Sequence, residues 1–361
     1  MQSKSKIGVA IAGLGFGESV HIPAIKSNDQ FNLKALWHPN PERVAICSQK
    51  YNLIPFHRWD ELLNDSSIQA IIIATPPKPR FELAKEAIKA GKHLLLEKPV
   101  GLNHIEIEEL QRLSIRYRSI VAVDFEYRAV PLFMQAKRII ANELLGKIWL
   151  TKFDWIMSSR SDSSRKWNWY SDKNQGGGVI GALGTHAFDT LNWLIGKPIM
   201  VNSLQSTSIN ERFCAENNVL KKVTSEDISL SQLELISHET NEKIPAQVSI
   251  SSISKNGRGC WIEIYGSRGT LILGSDNQKD YVHGFNLWLS ENNAPLRNIT
   301  ADDDLIFTRT WTDGRVAPVA RIQNWWGDSI NHGTPIIPGL GEAVESQKVC
   351  DKIKEYGESG Q

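Results

Sequence analysis

The residues best suited to chemistry lie where an apolar segment ends in Glu97, Lys98 and Pro99. Three leucines precede them, which is typical of a strand buried on both faces of a parallel sheet. Pro99 ends this strand and favours an extended Lys98 at its carboxyl end, the edge where open α/β sheets bind ligands. A lysine there can donate a hydrogen bond as a cation or, when partly desolvated, exchange a proton. A surface lysine paired with Glu97 is an equally good interpretation of the pattern.

His186 is the second residue suited to proton transfer. The pattern over residues 179–196 predicts a helix that carries His186 on one face with Ala182 and with Asp189 or Thr190. A histidine titrates near neutral pH and a carboxylate can orient its ring, so it can act as a general acid or base. A purely structural histidine is the alternative.

A glycine-rich loop follows the first predicted strand and precedes a helix. Gly13 and Gly15 permit a tight turn and let backbone N–H groups approach a pyrophosphate. The usual third glycine is replaced by Glu18, and Gly17 lies one position early. Glu18 therefore opposes close helix–strand packing and places a negative charge near the phosphates. A glycine turn without a ligand is the alternative interpretation.

Strands alternate with helices through the first third of the chain. The predicted strands are 6–12, 32–37, 70–74, 93–97 and 120–123. Asn40 and Asn103 are suited to begin two of the helices between them, as N-caps. This alternation predicts a doubly wound parallel sheet, and hence a dinucleotide-binding Rossmann domain over residues 1–123.

Residues 124–361 predict a second α/β domain with a different architecture. Strand-like runs joined by turns indicate a large, mainly antiparallel open sheet with one covered face. These runs are 148–156, 228–235, 246–253, 260–265 and 270–273, and the predicted helices include 317–332 and 341–356.

A polar, serine-rich loop over residues 158–166 leads into Trp167 and Trp169. Aromatic rings beside a polar loop suit a sugar, whose C–H faces stack on indole while its hydroxyl groups bind polar partners. Tryptophan is also common in cores and interfaces, which is the alternative for this pair.

The end of the second strand distinguishes the two nicotinamide cofactors. An acid there binds the ribose 2′-hydroxyl of NAD, whereas a nearby arginine suits the 2′-phosphate of NADP. This chain has His38 at the position, with Arg43 about one helical turn beyond. The pattern favours NADP, unless His38 is simply a loop residue.

Composition excludes several classes of protein. The 361 residues carry a formal net charge of +1, so neither nucleic acid nor an anionic membrane is an expected partner. No apolar run reaches the length of a membrane helix, and the first residues lack the apolar core of a signal peptide. The four cysteines are far apart and the nine histidines show no metal-ligand spacing, which predicts a cytoplasmic protein without a metal site.

Taken together, these segments resemble the Gfo/Idh/MocA family of nicotinamide-dependent oxidoreductases, in order and spacing over nearly the whole chain. The matching segments are the glycine loop through Ala24, Ala74-Thr75-Pro76, residues 91–99, Phe125-Glu126-Tyr127-Arg128 and the helix with Gly184, His186 and Asp189. The resemblance implies a Rossmann domain, an α/β domain whose open sheet often forms the oligomer interface, and oxidation of a sugar or polyol hydroxyl or the reverse reduction.

The resemblance also implies roles for individual residues. Lys98 corresponds to the lysine that hydrogen-bonds the reacting oxygen, His186 to its acid/base partner, and Glu97 would help to position the lysine and the nicotinamide. The predicted cofactor-binding residues are Gly13, Gly15, Phe16, Gly17, His38, Arg43, Thr75, Pro76, Glu97 and Lys98. The predicted substrate-binding residues are Tyr127, Trp167, Trp169 and Asp189.

One departure from the family keeps other functions open. Many members carry an aspartate four residues before the histidine, where this chain has Ala182. Either His186 acts with Lys98 alone, or another acid such as Asp172 or Asp189 takes its place.

The residues and the resemblance together therefore predict an NAD(P)-dependent dehydrogenase or reductase for a carbohydrate-like substrate. The resemblance also implies a homodimer or homotetramer. The alternative is a non-catalytic nucleotide-binding sensor of the same fold, which Ala182 and Glu18 keep open. A reductase for a non-sugar carbonyl is a third possibility, because a fold does not fix its substrate.

Overall fold

The computed structural model describes residues 5–277, 280 and 282–359, which form two compact units. The first unit contains the residues up to Glu126 together with Arg309–Val344. The second contains Tyr127–Thr308 and the residues from Glu345 onward.

A six-stranded, wholly parallel sheet forms the centre of the first unit. Its strands are β1 (Ile7–Ala12), β2 (Phe31–Trp37), β3 (Ile54–Phe56), β4 (Ala70–Ile73), β5 (His93–Leu96) and β6 (Val121–Val123). Their order across the sheet is β3-β2-β1-β4-β5-β6. The order reverses direction between β1 and β4, where dinucleotides bind in sheets of this type. The predicted Rossmann fold is confirmed.

Helices cover this sheet and begin where the sequence provides caps. They are α1 (Ile22–Lys26), α2 (Pro41–Tyr51), α3 (Trp59–Asn64), α4 (Pro77–Lys89) and α5 (His104–Tyr117). The Asn40 side chain accepts a hydrogen bond from the Arg43 N–H, and Asn103 accepts one from Glu106. Strands β1 and β4 are buried along their whole length, because helices lie on both faces of the sheet.

An eight-stranded mixed sheet dominates the second unit. Its strands are β7 (Ile148–Ile156), β8 (Gly196–Ser206), β11 (Ile228–Ser237), β12 (Lys243–Ser251), β13 (Gly259–Gly266), β14 (Gly269–Ser275), β15 (Asn286–Glu291) and β16 (Arg297–Ile299). A separate hairpin consists of β9 (Glu211–Cys214) and β10 (Val219–Lys222). The ladders of the large sheet are antiparallel except the β12–β7 pair, which is parallel.

The remaining helices are α6 (Pro131–Ala141), α7 (Thr185–Leu194), α8 (Val316–His332) and α9 (Leu340–Ser359). The single helix predicted over 179–196 is wrong in part. Residues Ile180–Gly184 form a π-helical turn, and Gly196 already belongs to β8. Tertiary contacts override the local periodicity here, because the buried Glu226 side chain accepts the Ile180 N–H and Gly196 pairs with Ser237 of β11.

Two further observations concern the chain as a whole. All four cysteines lie in the part of the chain that the structure describes, and each is a buried free thiol. None of the described helices is long and apolar enough to cross a membrane.

Candidate active site

Lys98 lies at the carboxyl end of β5 in the first unit, as predicted. The Glu97 N–H donates to the Ile73 carbonyl at 3.1 Å, which extends the pairing of β5 with β4 by one residue. The Glu97 carboxylate is buried, and its Oε2 accepts the Lys98 backbone N–H at 3.2 Å. Lys98 itself is half-buried. Lys98 therefore comes directly after a buried carboxylate, and its own backbone N–H helps to hold that carboxylate in place.

His21 holds the other oxygen of this carboxylate. His21 is fully buried, and its Nε2 lies 3.0 Å from Glu97 Oε1. Its Nδ1 lies 3.2 Å from the Gln323 side-chain nitrogen of α8. Nε2 can donate to Glu97 both in the neutral ring, with Nδ1 accepting from Gln323, and in the protonated ring.

Two more buried acids follow β6 beside this pair. The Asp124 N–H donates to the Leu96 carbonyl at 2.9 Å, and Asp124 Oδ2 lies 3.7 Å from His21 Nε2. Glu126 begins a short 3₁₀ turn and is also buried. Because β5 and β6 are parallel neighbours, their carboxyl ends bring these acids to the same edge as Lys98.

The acids of this cluster titrate at widely different pH. Burial alone would raise the pKa of Glu97, but the hydrogen bond from His21 and the charges of His21, Lys98 and Arg80 lower it to about 2. Burial raises the pKa of Asp124 well above its usual range, and the charges of Glu97 and Glu126 raise it further. Burial also raises the pKa of Glu126 to about 7, against the opposing charge of Lys98. Near neutral pH the cluster therefore contains a carboxylate at Glu97 and an acid in mid-titration at Glu126, next to an Asp124 whose surroundings favour its protonated form.

Arg80 fixes the backbone on both sides of Lys98. This arginine is buried on α4, and its guanidinium donates to the carbonyl groups of Glu97, Pro99 and Thr75. Thr75 follows β4 and the other two residues follow β5, so one side chain joins two neighbouring loops. Burial lowers the pKa of Arg80 to about 10, which leaves it charged at neutral pH.

The glycine loop has the shape that a dinucleotide requires. Gly13 has a positive φ of 100°, and a Cβ there would lie 2.6 Å from the Ala74 carbonyl oxygen, so only glycine fits. A Cβ on the exposed Gly15 would meet nothing within 4 Å, which leaves space for a ligand. A Cβ on Gly17 would lie 3.0 Å from the Ile11 side chain. Gly17 therefore provides the close helix–strand contact that the sequence pattern assigns to the next position.

The position of Glu18 in the sequence suggested that its charge would disturb the glycine loop. In the structure this carboxylate has partners on α2. The helical turn Gly17–His21 is π-helical, and the Glu18 carboxylate accepts hydrogen bonds from Lys50 Nζ at 2.9 Å and the Tyr51 hydroxyl at 3.3 Å. The hydrogen bond and charge of Lys50 outweigh burial and lower the pKa of Glu18. Its negative charge is thus neutralised by a lysine of α2.

The other predicted cofactor residues surround this loop or follow β2 and β4. The buried Thr75 hydroxyl has no hydrogen-bond partner among the described residues, as expected of a group that a cofactor would satisfy. Pro76 is the N-cap of α4. The Phe16 ring lies edge-on to His21 at 5.5 Å, beneath the Arg315 guanidinium at 5.2 Å. The donors and space of this edge fit a nicotinamide dinucleotide.

His38 and Arg43 lie close together at the end of β2. His38 Nδ1 accepts the Asn40 N–H at 3.0 Å, so the remaining ring nitrogen carries the proton of the neutral ring. Burial lowers the pKa of His38, and the charge of Arg43 lowers it further. This position therefore offers a neutral N–H donor beside a guanidinium, in place of the acid that binds a ribose hydroxyl in NAD-dependent sheets of this type.

His186 lies near the beginning of α7 in the second unit, buried among aromatic rings. Its ring is edge-on to Tyr127 at 4.8 Å and lies 6.2 Å from Trp155. Tyr127 also contacts Phe133 and Trp155, at 5.4 and 5.3 Å between ring centroids. The position of the histidine is thus fixed by packing, and the Tyr127 ring lies against it.

The two acids considered as replacements for the family's aspartate have other partners. Asp189 forms a buried two-pronged ion pair with Arg128, with distances of 2.8 and 2.7 Å. Asp172 caps a short turn, accepting hydrogen bonds from the Asn174 N–H and the Gln175 side chain, both at 3.0 Å. Ala182 lies in the π-helical turn before α7.

Trp167 and Trp169 are both half-buried. Trp167 contacts the β9–β10 hairpin, and Trp169 contacts the residue that follows it. The Trp167 indole N–H donates to the Lys222 carbonyl at 3.1 Å, and Lys221 Nζ lies 3.4 Å from the centre of its ring. The Trp169 ring packs against Tyr170 at 5.9 Å. The hairpin thus holds Trp167 with its N–H and one ring face already engaged.

The structure brings together most of the predicted cofactor residues and adds four that sequence reasoning did not single out. Lys98, Glu97, the glycines and Thr75 belong to the first unit, whereas His186, Tyr127 and the tryptophans belong to the second, so their union in one active site remains a prediction. The additional residues are His21, Arg80, Asp124 and Gln323. Asp124 could have been found by the argument used for Lys98, since it follows a buried strand; Arg80 and Gln323 carry no such signal.

Comparison with known proteins supports the assignment that these features suggest. A family model described as an oxidoreductase family with an NAD-binding Rossmann fold matches residues 7–125, and a model of the C-terminal α/β domain of the same family matches residues 137–361. The chain belongs to the Gfo/Idh/MocA family of oxidoreductases.

Other members of the Gfo/Idh/MocA family resemble this chain to different degrees. An uncharacterized oxidoreductase of Synechocystis sp. is 39% identical over 98% of this chain and 95% of its own. Levoglucosan dehydrogenase of Pseudarthrobacter phenanthrenivorans is 28% identical over 57% of this chain and 55% of its own. Solved levoglucosan dehydrogenase structures share the fold: the complex with NADH and levoglucosan has a TM-score of 0.86 at 19% identity, covering 99% of this chain and 98% of that one.

Proposed function

We propose that this chain is an NAD(P)-dependent dehydrogenase or reductase that transfers a hydride between the nicotinamide and a hydroxyl or carbonyl group of a sugar or polyol. The observation that carries the proposal is the half-buried Lys98 at the carboxyl end of β5, next to a buried carboxylate of low pKa. The levoglucosan dehydrogenase structures contain NADH with levoglucosan or L-sorbose, which supports a carbohydrate-like substrate.

The residues of the first unit would hold the cofactor. The backbone around Gly13 and Gly15 would receive the pyrophosphate, and the Thr75 hydroxyl would gain a partner. When bound, the nicotinamide supplies the hydride or accepts it. For the choice of cofactor, the NADH complexes of similar folds favour NAD, whereas His38 and Arg43 at the end of β2 favour NADP.

The side chains would move the proton and stabilise the reacting oxygen. In the direction of oxidation, the Lys98 ammonium would hydrogen-bond the hydroxyl oxygen and stabilise the negative charge that develops on it. His186 would take the hydroxyl proton and return it in the reverse reduction. Asp189 is engaged by Arg128, so His186 would act without a carboxylate from that residue.

The first experiment is a titration of tryptophan fluorescence with NADH and, separately, NADPH, followed by a screen of sugars and polyols that includes levoglucosan. Tight binding of one cofactor identifies it. Binding of neither would contradict the proposal, and binding without turnover of any substrate would support the sensor function instead.

The variant that tests the role of Lys98 is Lys98→Met. We expect turnover to fall by about 10²–10⁴-fold, with the dissociation constant of the cofactor changed by less than about threefold, because the lysine acts on the reacting oxygen. The control is Lys89→Met, an exposed lysine at the end of α4. Full turnover by Lys98→Met would exclude the mechanism.

The open sheet of the second unit suits self-association. Ile199 and Leu204 of β8 and Leu230 of β11 are 44%, 69% and 45% exposed, and Leu204 pairs with Leu230 across the two strands. We propose that this face joins two or four copies of the chain. Light scattering would show a smaller assembly for Leu204→Lys than for the native chain, and equal masses would contradict this interface.

A further inference from the structure

The cluster of His21, Glu97 and Asp124 is buried, and of its three members only Glu97 is a predicted cofactor-binding residue. We propose that His21 is a positioning residue for Lys98, acting through the Glu97 carboxylate. Glu97 has one oxygen 3.0 Å from His21 Nε2 and the other 3.2 Å from the Lys98 backbone nitrogen. The role of His21 in catalysis rests on the function proposed above, whereas its effect on Lys98 can be measured without a substrate.

Each oxygen of Glu97 has a separate task. His21 fixes the side-chain torsions of Glu97 by binding Oε1, which leaves Oε2 directed at the backbone of the next residue. A carboxylate with one free oxygen could rotate, and both its distance from Lys98 and its charge would change. His21 cannot move aside, because it is fully buried and the Gln323 side chain holds its other nitrogen.

Charged groups face Glu97 from several elements. Arg80 approaches from α4, His21 from the helical turn after β1, and Lys98 from the same loop. Asp124 and Glu126 approach from the residues after β6. Burial raises the pKa of both, the charges of Glu97 and Glu126 raise that of Asp124 further, and the charge of Glu97 raises that of Glu126. Of these groups, only His21 makes a side-chain hydrogen bond that lowers the pKa of Glu97. Removing that bond should therefore leave Glu97 ionised at alkaline pH but free to rotate, so that its negative charge is no longer held beside Lys98.

The same three side chains could in principle hold a divalent cation. Their ligand atoms lie within 4.8 Å of one another, and all three residues are buried. Two observations favour hydrogen bonding instead. The cationic Lys98 and Arg80 already adjoin Glu97, and the Gln323 side-chain nitrogen faces His21 Nδ1, where a metal-bound histidine would itself donate a proton.

Two variants of His21 separate its two hydrogen bonds. In His21→Asn the shorter side chain retains an acceptor for Gln323 but no longer reaches Glu97. In His21→Gln the longer amide retains the donor to Glu97. The readout is the pH at which Lys98 of the full-length protein becomes half-reactive towards acetic anhydride, quantified by mass spectrometry, with the exposed Lys147 as an internal control.

We expect the midpoint for Lys98 to fall by about one pH unit in His21→Asn, because the Glu97 carboxylate stays ionised in this range but is no longer held beside the ammonium. His21→Gln should restore the native midpoint, and Lys147 should not change in either variant. In a Glu97→Gln background, His21→Asn should add no further shift, since its effect passes through the carboxylate.

Three results would overturn the proposal: an unchanged midpoint in His21→Asn, a shift that persists in the Glu97→Gln background, or one equivalent of divalent metal in the purified protein. None of them depends on turnover, so failure of the dehydrogenase proposal would be recognised separately, by the cofactor titration and substrate screen. If turnover is found, we expect His21→Asn to lower kcat by roughly tenfold with little change in the KM of the cofactor.

Discussion

Two buried groups of charged side chains in this chain balance their charges in different ways. In the second unit, Arg128 and Asp189 pair one to one, with two short hydrogen bonds and almost no exposure. In the first unit, three acids share a small volume with His21, Arg80 and Lys98, and their pKa values are far apart. The first arrangement is a closed ion pair, whereas the second contains acids whose pKa values burial and neighbouring charges move in opposite directions.

The difference shows why burial of charge alone does not identify an active site. A closed ion pair joins two elements of the fold, here helix α7 and the short turn that follows β6. It no longer stabilises that contact if either partner is replaced. A cluster with unequal pKa values can hold or release a proton without losing its structure, which is what catalysis requires. Asp189 is a predicted substrate-binding residue, and in the structure its carboxylate accepts two hydrogen bonds from Arg128.

The largest effect is expected from opening the closed pair. Arg128→Met leaves Asp189 buried without its partner and should lower the free energy of unfolding by about 3–5 kcal/mol, whereas the double variant Arg128→Met/Asp189→Leu should recover most of the loss. Urea denaturation measures both. Equal losses in the single and double variants would show that packing, and not charge, stabilises this contact.

An intermediate effect is expected from Glu126, and it should depend on pH. Its pKa is raised by burial from 4.5 to about 7, so the folded state prefers the protonated acid. The native chain should therefore lose stability as the pH rises from about 4.5 to about 7, by on the order of 3 kcal/mol, while Glu126→Gln should not lose this increment. Melting temperatures of both proteins across this range test the prediction, and parallel curves would contradict it.

The smallest effect is expected from Asp124. Burial and the charges of Glu97 and Glu126 raise its pKa well above the usual range, so the folded state favours the protonated acid, which resembles an amide. Asp124→Asn should change the free energy of unfolding at pH 7 by less than about 1 kcal/mol. A loss comparable to that of Arg128→Met would mean that Asp124 is ionised and that the cluster is a closed ionic network after all.

The sequence was sufficient for the architecture and for the position of Lys98. Runs of leucine and isoleucine identify β4 and β5, and the asparagine N-caps locate the beginnings of α2 and α5, because these signals are local. The interpretation of residues 179–196 failed because Glu226, 46 positions from Ile180, binds its backbone N–H. The helical periodicity of residues 179–196 gives no information about a partner so far away in the sequence.

The candidate site was less predictable than the fold for a similar reason. Glu18 could be judged unfavourable from its position, but Lys50, which neutralises it, lies 32 residues away. Gln323, which orients His21, lies 302 residues away. Resemblance to a family could indicate which residues to examine, but only the three-dimensional structure shows which of their hydrogen bonds are already made.

Arg80 bears on how this site could be re-engineered. Its guanidinium binds carbonyl groups of both loops that flank Lys98, although it lies 18 residues upstream on a different element. The Glu-Lys-Pro motif is therefore not a self-contained module. A chimera that transplants residues 97–99 into another scaffold without an arginine at the position of Arg80 would leave buried carbonyl groups without donors, and the transferred lysine would lose its alignment.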